Sequence, residues 1–575
     1  MKSRAKKDTT LRNSYNLRSR FALGLLLALG GVLVARAAWL QTFNDEFLTR
    51  QGDNRQLRVA KIPAHRGVIT DRNGEPLAVS TPVDSVWVNP RRIVLEPDRI
   101  PQLAAVLGTD GEALARRLTR NINREFMYLK RHMRPSEAKA IAALNIPGIG
   151  IEREYQRYYP AGEVIGHIVG FTDIDDVGQE GLELAFDQWL SGQPGKKRVL
   201  RDRLGRVVED VERLQSPSPG RELATSIDLR IQYLAYRELK AAIQRTGSAS
   251  GSVVVLDVST GEVLAMVNQP AYNPNDRSQF SPTKYRNRAI TDIFEPGSTI
   301  KTLIVAAALE SGQYHSRSQI NTSPGRVQVG NKLIEDKNNL GTIDLGTLLA
   351  RSSNVGATKL AMSLPPETLY EVLSGFGLGR LSGSGFPGES AGLLSHYSNW
   401  RPISQATLAY GYGVSLTPLQ LAQAYSIIGS GGLQRPISLL RLDQPAISRR
   451  VIKADTAESV LSMLETVVGS KGTGQKAGVA GYRVAGKTGT VKKFAPGGYA
   501  ENRYMALFSG IAPASQPRLA VVVMIDDPSS GEYYGGEVAA PVFSRVVEGA
   551  LRILAIPPDN FVRPDKASTL AANWP

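Results

Sequence analysis

Cysteine is absent from the 575 residues, which excludes thiol nucleophiles, disulfides and cysteine-ligated zinc. Histidine is scarce. His65, His132, His167, His315 and His396 are the only five, and no two stand within two helical turns of each other. A histidine metal cluster is therefore not expected, and each reads as a surface or satisfied core residue. Acidic residues number 53 against 69 basic ones, a formal net charge of +16. A chain this basic can meet nucleic acid, anionic lipid or another polyanion. Long apolar runs are confined to one place near the N-terminus, so no second membrane span is expected. Apolar residues make up 42% and charged residues 21%, which excludes global disorder, and the length points to two or more domains.

Residues 1–20 carry Lys2, Arg4, Lys6, Lys7, Arg12, Arg18 and Arg20 against Asp8 alone. Phe21–Ala35 is uncharged, Arg36 interrupts, and Ala37–Leu40 completes a run of twenty residues, about the length that spans a bilayer core. Arg36 can snorkel from its place near one end, and Trp39 suits an interface. A cleaved signal peptide is the alternative, but the basic region is long and Ala35-Arg36-Ala37 is a middling cleavage site. The expectation is an uncleaved anchor with its basic side in the cytoplasm, so that residues from about 41 onward lie outside the inner membrane. That placement removes nucleic acid as a partner for most of the chain.

Beyond the anchor, residues 42–220 read as mixed. Arg66–Gly74 is a strand-like run into an Asn-Gly turn, and 97–145 reads as short amphipathic helices. Residues 195–224 are charged and hold Ser216-Pro-Ser-Pro-Gly220, a loop that is expected to mark a boundary. A helix is expected from Leu229 to Arg245. Gly251–Val258 and Glu262–Asn268 flank a Ser-Thr-Gly turn as a hairpin, and Arg503–Ile511 with Leu519–Ile525 form a second strand pair. A last helix is expected near Val538–Leu554. Strands thus bracket a mostly helical middle, which argues for an α+β domain with helices against one sheet.

Three motifs carry chemistry. In Glu295-Pro-Gly-Ser298-Thr-Ile-Lys301, Pro and Gly open an apolar helix, with Lys301 one turn after Ser298 on the same face. A serine hydroxyl needs a neighbouring base, and an unprotonated lysine can serve. Ser-x-x-Lys also occurs at Ser3, Ser136 and Ser281, so the pattern alone is weak. Ser352-Ser353-Asn354 lies in an expected helical stretch, Leu345–Met362, and by itself reads as a polar cap. Lys487-Thr488-Gly489-Thr490 is strand-like, and a cation beside hydroxyls suits a carboxylate ligand.

In this order the trio resembles the signature of the penicillin-interacting serine transferases and hydrolases, with Ser-Ser-Asn in place of the commoner Ser-Asp-Asn. The anchor, Arg66–Ala78, Arg157-Tyr-Tyr-Pro-Ala-Gly162, Gly181-Leu-Glu183 and Tyr410-Gly-Tyr-Gly413 further resemble a class B penicillin-binding protein of the division type, over nearly the whole chain. The resemblance implies a penicillin-binding transpeptidase fold, an antiparallel sheet packed with helices. A transmembrane helix and an elongated mixed α/β pedestal would precede it. It divides the chain into a cytoplasmic tail (1–20), the anchor (21–40), the pedestal (41–222), the transpeptidase domain (223–556) and a loosely ordered tail (557–575). The activity implied is peptidoglycan D,D-transpeptidation at the division septum, inhibited by β-lactams. Ser298 would be the nucleophile, Lys301 its base and Ser352 a proton relay. Asn354 would hold Lys301 and a substrate amide. Lys487, Thr488 and Thr490 would bind the terminal carboxylate beside Gly489, and the N–H groups of Ser298 and Thr490 would form the oxyanion hole. No metal or organic cofactor is implied. The partners implied are stem peptides, the membrane, a SEDS-type (FtsW-like) glycosyltransferase and other division proteins.

Alternatives differ by recognisable elements. A class A β-lactamase would place Glu-x-x-x-Asn between the second and third motifs. The only asparagine between Asn354 and Lys487 is Asn399, with Ser395 four residues before it. A bifunctional synthase would carry Glu-Asp-x-x-Phe ahead of the transpeptidase, and none stands in 42–250. A β-lactam sensor would usually carry further membrane spans. Side-wall synthesis or a specialised paralogue stays open beside the septal role.

Overall fold

The computed structural model describes residues 5–42, 57–201, 207–279, 281–495 and 497–560. Most of the expected C-terminal tail, 561–575, lies outside the described residues, as do residues 1–4 of the cytoplasmic tail. Helix α1 (Ala5–Thr42) contains Arg18–Leu40, a segment with mean hydropathy 2.1 that buries nothing within the protein and is long enough to cross a membrane.

The rest of the chain forms two compact units. One draws on described residues within Met1–Ala64, Val83–Glu154 and Gln193–Ser218; the other on His65–Pro82, Tyr155–Gly192 and Pro219–Pro575. The first holds strand β1 (Leu57–Ile62), the second half of β2 (Pro76–Val88), helices α2 (Ile100–Leu107) and α3 (Gly111–Arg120), β3 (Met127–Met133) and α4 (Pro135–Ala143). The helices are those expected between 97 and 145, but β3 is an addition, pairing with Val86–Val88. Its sequence hides it, because only the two terminal methionines are buried and the charges between them break the alternation. Val86, Val88, Leu103, Leu118 and Ile141 make this unit's core. A three-stranded sheet joins β1, β4 (Gly195–Arg201) and β5 (Val207–Gln215). The charged stretch from 195 is therefore strand over Gly195–Arg201 and Val207–Gln215, with Arg198 pairing Glu212 across it at 2.9 Å and Val199 fully buried.

In the second unit, three of the sequence segments singled out above converge. Glu183, fully buried, accepts from Arg66 Nε at 2.6 Å and from Arg157 Nε at 2.6 Å, and Arg66 also reaches Asp187 at 2.7 Å. Such a group is retained only with its partners, since removing one leaves an uncompensated buried charge.

The same unit runs from α5 (Leu229–Thr246) into the hairpin β6 (Ser250–Asp257) and β7 (Val263–Gln269). Then follow α6 (Lys301–Glu310), β8 (Lys332–Glu335), α7 (Leu345–Arg351), α8 (Asn354–Met362), α9 (Pro418–Gly429) and α10 (Ala454–Val468). Strands β9 (Ala485–Ala495), β10 (Gly498–Ala512) and β11 (Leu519–Asp526) lead to α11 (Ala540–Ile553). Five strands form an antiparallel sheet in the order β7-β6-β11-β10-β9. The central strands read as unbroken apolar runs because helices cover both faces. Val254, Leu256, Ala520 and Val522 face the core that holds α6 and α9. The alternate residues Val253, Val255, Val521 and Val523 face α5 and α11. Among the described residues strand β9 pairs with β10 and with no strand on its other side.

Candidate active site

The turn that carries Ser298, the expected nucleophile, is set by close packing. Gly297–Ile300 is one 3-10 turn that continues into α6. Gly297 has φ +54°, and a Cβ on Gly411 (φ +89°) would stand 2.2 Å from the Gly297 carbonyl oxygen. Both positions therefore require glycine. Thr299 Oγ1 donates to the Pro296 carbonyl at 2.7 Å, and the buried Tyr425 hydroxyl donates to the Thr299 carbonyl at 3.0 Å. Ser298 stays half-exposed, while Lys301, one turn on, is fully buried.

The second motif is not inside one helix. The expected helix Leu345–Met362 is broken into α7 and α8, because Ser352 adopts φ +57° and Ser353 caps α8 by accepting from Gly356 N at 2.8 Å. Serine competes well for backbone groups and so favours a cap over a helix interior. Asp336, just after β8, completes the cap. It accepts from Asn354 N at 2.5 Å and Val355 N at 3.1 Å, and from the Ser353 hydroxyl. The break turns three oxygens of the motif onto one amine. Lys301 Nζ lies 2.6 Å from the Ser352 carbonyl, 2.6 Å from Asn354 Oδ1 and 3.3 Å from Ser352 Oγ.

The third motif lies on β9, as its sequence suggests. Lys487 is fully buried and donates to Ser352 Oγ at 3.0 Å and to the Thr488 carbonyl at 3.2 Å. A Cβ on Gly489 would come within 3.1 Å of both Leu507 and Thr299, which keeps β9 close to the nucleophile turn. Thr490 Oγ1 accepts from Gly535 N at 3.0 Å and lines the cleft. Thr488, on the same face of β9 as Thr490, shares a 2.8 Å hydrogen bond with Thr473.

Burial pushes the Lys301 amine well below its ordinary 10.5, and the nearby Lys487 charge pushes it the same way, with Asp336 opposing. Burial lowers Lys487 to about 7. An uncharged Lys301 has two N–H donors and one lone pair. The Ser352 carbonyl and Asn354 Oδ1 can only accept from it, so they take both donors and leave the lone pair for a hydroxyl proton. Ser352 Oγ, accepting from Lys487, can offer its own proton to that lone pair.

Ser298, Asn354 and Thr490 share an open cleft of about 420 Å³ with Tyr410, Tyr412 and Tyr499. Tyr410 and Tyr412 belong to a segment singled out in the sequence; Tyr499 and Asp336 do not. Glu295, three residues before Ser298, accepts from Gly413 N at 2.8 Å and from the Tyr499 hydroxyl at 3.0 Å. No spacing in the chain marks Asp336 or Tyr499, because each acts through contacts remote in sequence.

Comparison with known proteins gives a consistent picture. Residues 251–548 match the penicillin-binding protein transpeptidase domain, and 61–225 match the penicillin-binding protein dimerisation domain. Peptidoglycan D,D-transpeptidase FtsI of Escherichia coli K12 is 45% identical over 95% of this chain and 94% of its own length. The probable peptidoglycan D,D-transpeptidase PbpC of Pseudomonas aeruginosa is 42% identical over 93% of this chain and 94% of its own length. Among solved structures, the transpeptidase domain of Burkholderia pseudomallei penicillin-binding protein 3 is 41% identical. It superposes with a TM-score of 0.55, covering 59% of this chain and 98% of that one. Penicillin-binding protein 3 of Mycobacterium tuberculosis, complexed with aztreonam, is 29% identical with a TM-score of 0.68, covering 87% and 98%.

Proposed function

The chain belongs to the penicillin-binding protein transpeptidases, and from that premise we propose that it crosslinks peptidoglycan stem peptides through an acyl-enzyme on Ser298, at the division septum. The observation that carries the mechanism is the set of acceptors around Lys301, which leaves an uncharged amine with a lone pair beside the nucleophile turn. Ser298 Oγ attacks the carbonyl between the last two D-alanines, and its proton passes to Lys301 Nζ. The tetrahedral oxygen is held by the N–H groups of Ser298 and Thr490. As the C–N bond breaks, the leaving amine takes a proton through Ser352 Oγ, and D-alanine departs. An acceptor amine then attacks the ester carbonyl, the C–O bond breaks, and the amine's proton returns to Ser298 Oγ by way of Lys301. Lys487 and Thr490 bind the terminal carboxylate with a charge and a hydroxyl. Thr488, which shares a hydrogen bond with Thr473, offers that carboxylate a second hydroxyl on the same face of β9. β-Lactams present the same carboxylate and carbonyl, and acylate Ser298.

The domain limits proposed are a pedestal over 41–222 and a transpeptidase domain over 223–556. The basic residues of 1–20, ahead of the apolar run Phe21–Leu40, favour a cytoplasmic N-terminus and a periplasmic catalytic domain. A SEDS-type glycosyltransferase and other division proteins are the proposed partners of the anchor and pedestal. The test is labelling of the full chain with a fluorescent penicillin. Wild type should carry the label through a denaturing gel and Ser298→Ala should not; equal labelling of both would overturn the assignment.

A further inference from the structure

We propose that the open face of the sheet in the first unit is a glycan-binding platform, where Trp87 and Phe126 hold sugar rings of a peptidoglycan strand at a site separate from the cleft of Ser298. The sheet joins β2, β3 and the strand Ile149–Tyr158. Its inner face packs Val86, Val88 and Met127 against Leu103, Leu118 and Ile141 of α2, α3 and α4. The outer face carries a row of rings. Trp87 pairs with Tyr128 across β2 and β3, and the Phe126 ring meets both, 5.2 Å from Trp87 and 4.9 Å from Tyr128 between centroids. None of the three belongs to the unit's core, and Phe126 is 46% exposed. The Trp87 indole lies over Gly150, where a Cβ would stand 2.3 Å from the ring, so glycine at 150 makes room for it. Among the described residues the Trp87 Nε1–H has no acceptor.

Planar polar groups frame the row. The Arg131 guanidinium sits 4.8 Å from the Tyr128 ring centroid and donates to both oxygens of Glu154, at 2.6 and 3.2 Å. Glu152 accepts from the Tyr128 hydroxyl at 3.2 Å. A pyranose has apolar C–H faces and a girdle of hydroxyls. Aromatic rings suit the faces, and an indole N–H, carboxylates and a guanidinium suit the girdle. An extended protein segment is a poorer fit, because the edge of β3 that would receive it is occupied. Arg117 donates there to the Tyr128 carbonyl at 2.9 Å and the Leu129 carbonyl at 3.4 Å. Charge points to the kind of glycan. Arg124, two residues before Phe126, and Lys130, two after Tyr128, are exposed, and among the described residues neither has a carboxylate partner. A peptidoglycan strand offers neutral N-acetylated sugars to the rings and anionic stems to these cations. The choice of polymer rests on the transpeptidase reading above.

The probe is a soluble glycan strand stripped of its stem peptides. It is offered to the detergent-solubilised full chain after acylation with penicillin, so that the cleft takes no part, and binding is followed by calorimetry. Wild type should bind with little dependence on salt. W87A and F126A should each weaken binding about tenfold and F126W should keep it, while all three are acylated by penicillin within twofold of the wild-type rate. Phe126 stands at the surface, so its variants still report if W87A fails to fold. A strand that retains its stems should bind more tightly at low salt, and R124E/K130E should remove that gain without affecting the stripped strand. No binding of the stripped strand by wild type, or equal binding by F126A, would overturn the platform. So would a photoreactive residue at position 126 that captures a polypeptide and no glycan in growing cells. Failure of penicillin to acylate wild type would sink the transpeptidase reading instead, and binding of the stripped strand would still decide the platform.

Discussion

In the proposed mechanism Lys301 acts as a base at a pH where lysine is ordinarily an acid. Burial and Lys487 lower it, and the polar groups around it leave one lone pair. Lys301→Ala should therefore slow acylation by several powers of ten with the fold intact, because it removes the proton acceptor of the transition state. Acylation within threefold of wild type would call for another base. The pH profile should be bell-shaped. Acylation rises as Lys301 loses its proton, and it falls around pH 7 in the free protein as Lys487 loses the charge that binds the carboxylate. Asp336 gives a separate reading. Its negative charge favours protonated Lys301, so Asp336→Asn should move the rising limb to lower pH. A limb that stays in place, with only the maximum lowered, would make Asp336 a cap and nothing more. The serines, lysines and asparagine of the proposed site were legible as residue types in an order. Asp336 was not, because its 2.5 Å bond to Asn354 N spans eighteen residues without any local pattern.

At the scale of elements, legibility follows periodicity. The strand pairs 250–257 with 263–269 and 498–512 with 519–526 could be read because their apolar runs are long and bounded by turn residues. The break between α7 and α8 could not, since residues 345–362 carry apolar spacing that also fits one helix. What decides the matter is a positive φ at Ser352 and a cap supplied from Asp336. The nucleophile turn depends on a similar fit of backbone to backbone. Gly411→Ala would place a methyl 2.2 Å from the Gly297 carbonyl at a residue with φ +89°. It should destabilise the protein by about 1–3 kcal/mol and slow penicillin acylation by displacing the turn. A melting temperature and acylation rate both equal to wild type would show that the turn can give way.

For the whole molecule, an N-terminal helix apolar and long enough to cross a membrane and the bracketed α+β domain could be read from the chain. The clustering of 65–82 and 155–192 with residues from 219 onward could not, because it rests on contacts such as the Tyr272 hydroxyl to the Gly166 carbonyl at 2.8 Å and Asn287 Nδ2 to the His167 carbonyl at 3.0 Å, each spanning more than a hundred residues. Topology is open to direct test. Protease added to spheroplasts should digest the large domain; its protection would reverse the proposed orientation. The account's central claim is that the acyl-enzyme is resolved by an amine in preference to water. No Glu-x-x-x-Asn element stands between the second and third motifs to activate a hydrolytic water. The most direct measurement offers the full chain a stem-peptide or thioester donor together with a D-amino acid, and quantifies exchanged and hydrolysed products by mass. The account predicts that exchange product dominates, that it vanishes in Ser298→Ala, and that a penicillin adduct persists for many minutes after free drug is removed. Hydrolysis product alone, with the penicillin adduct lost within seconds, would contradict it.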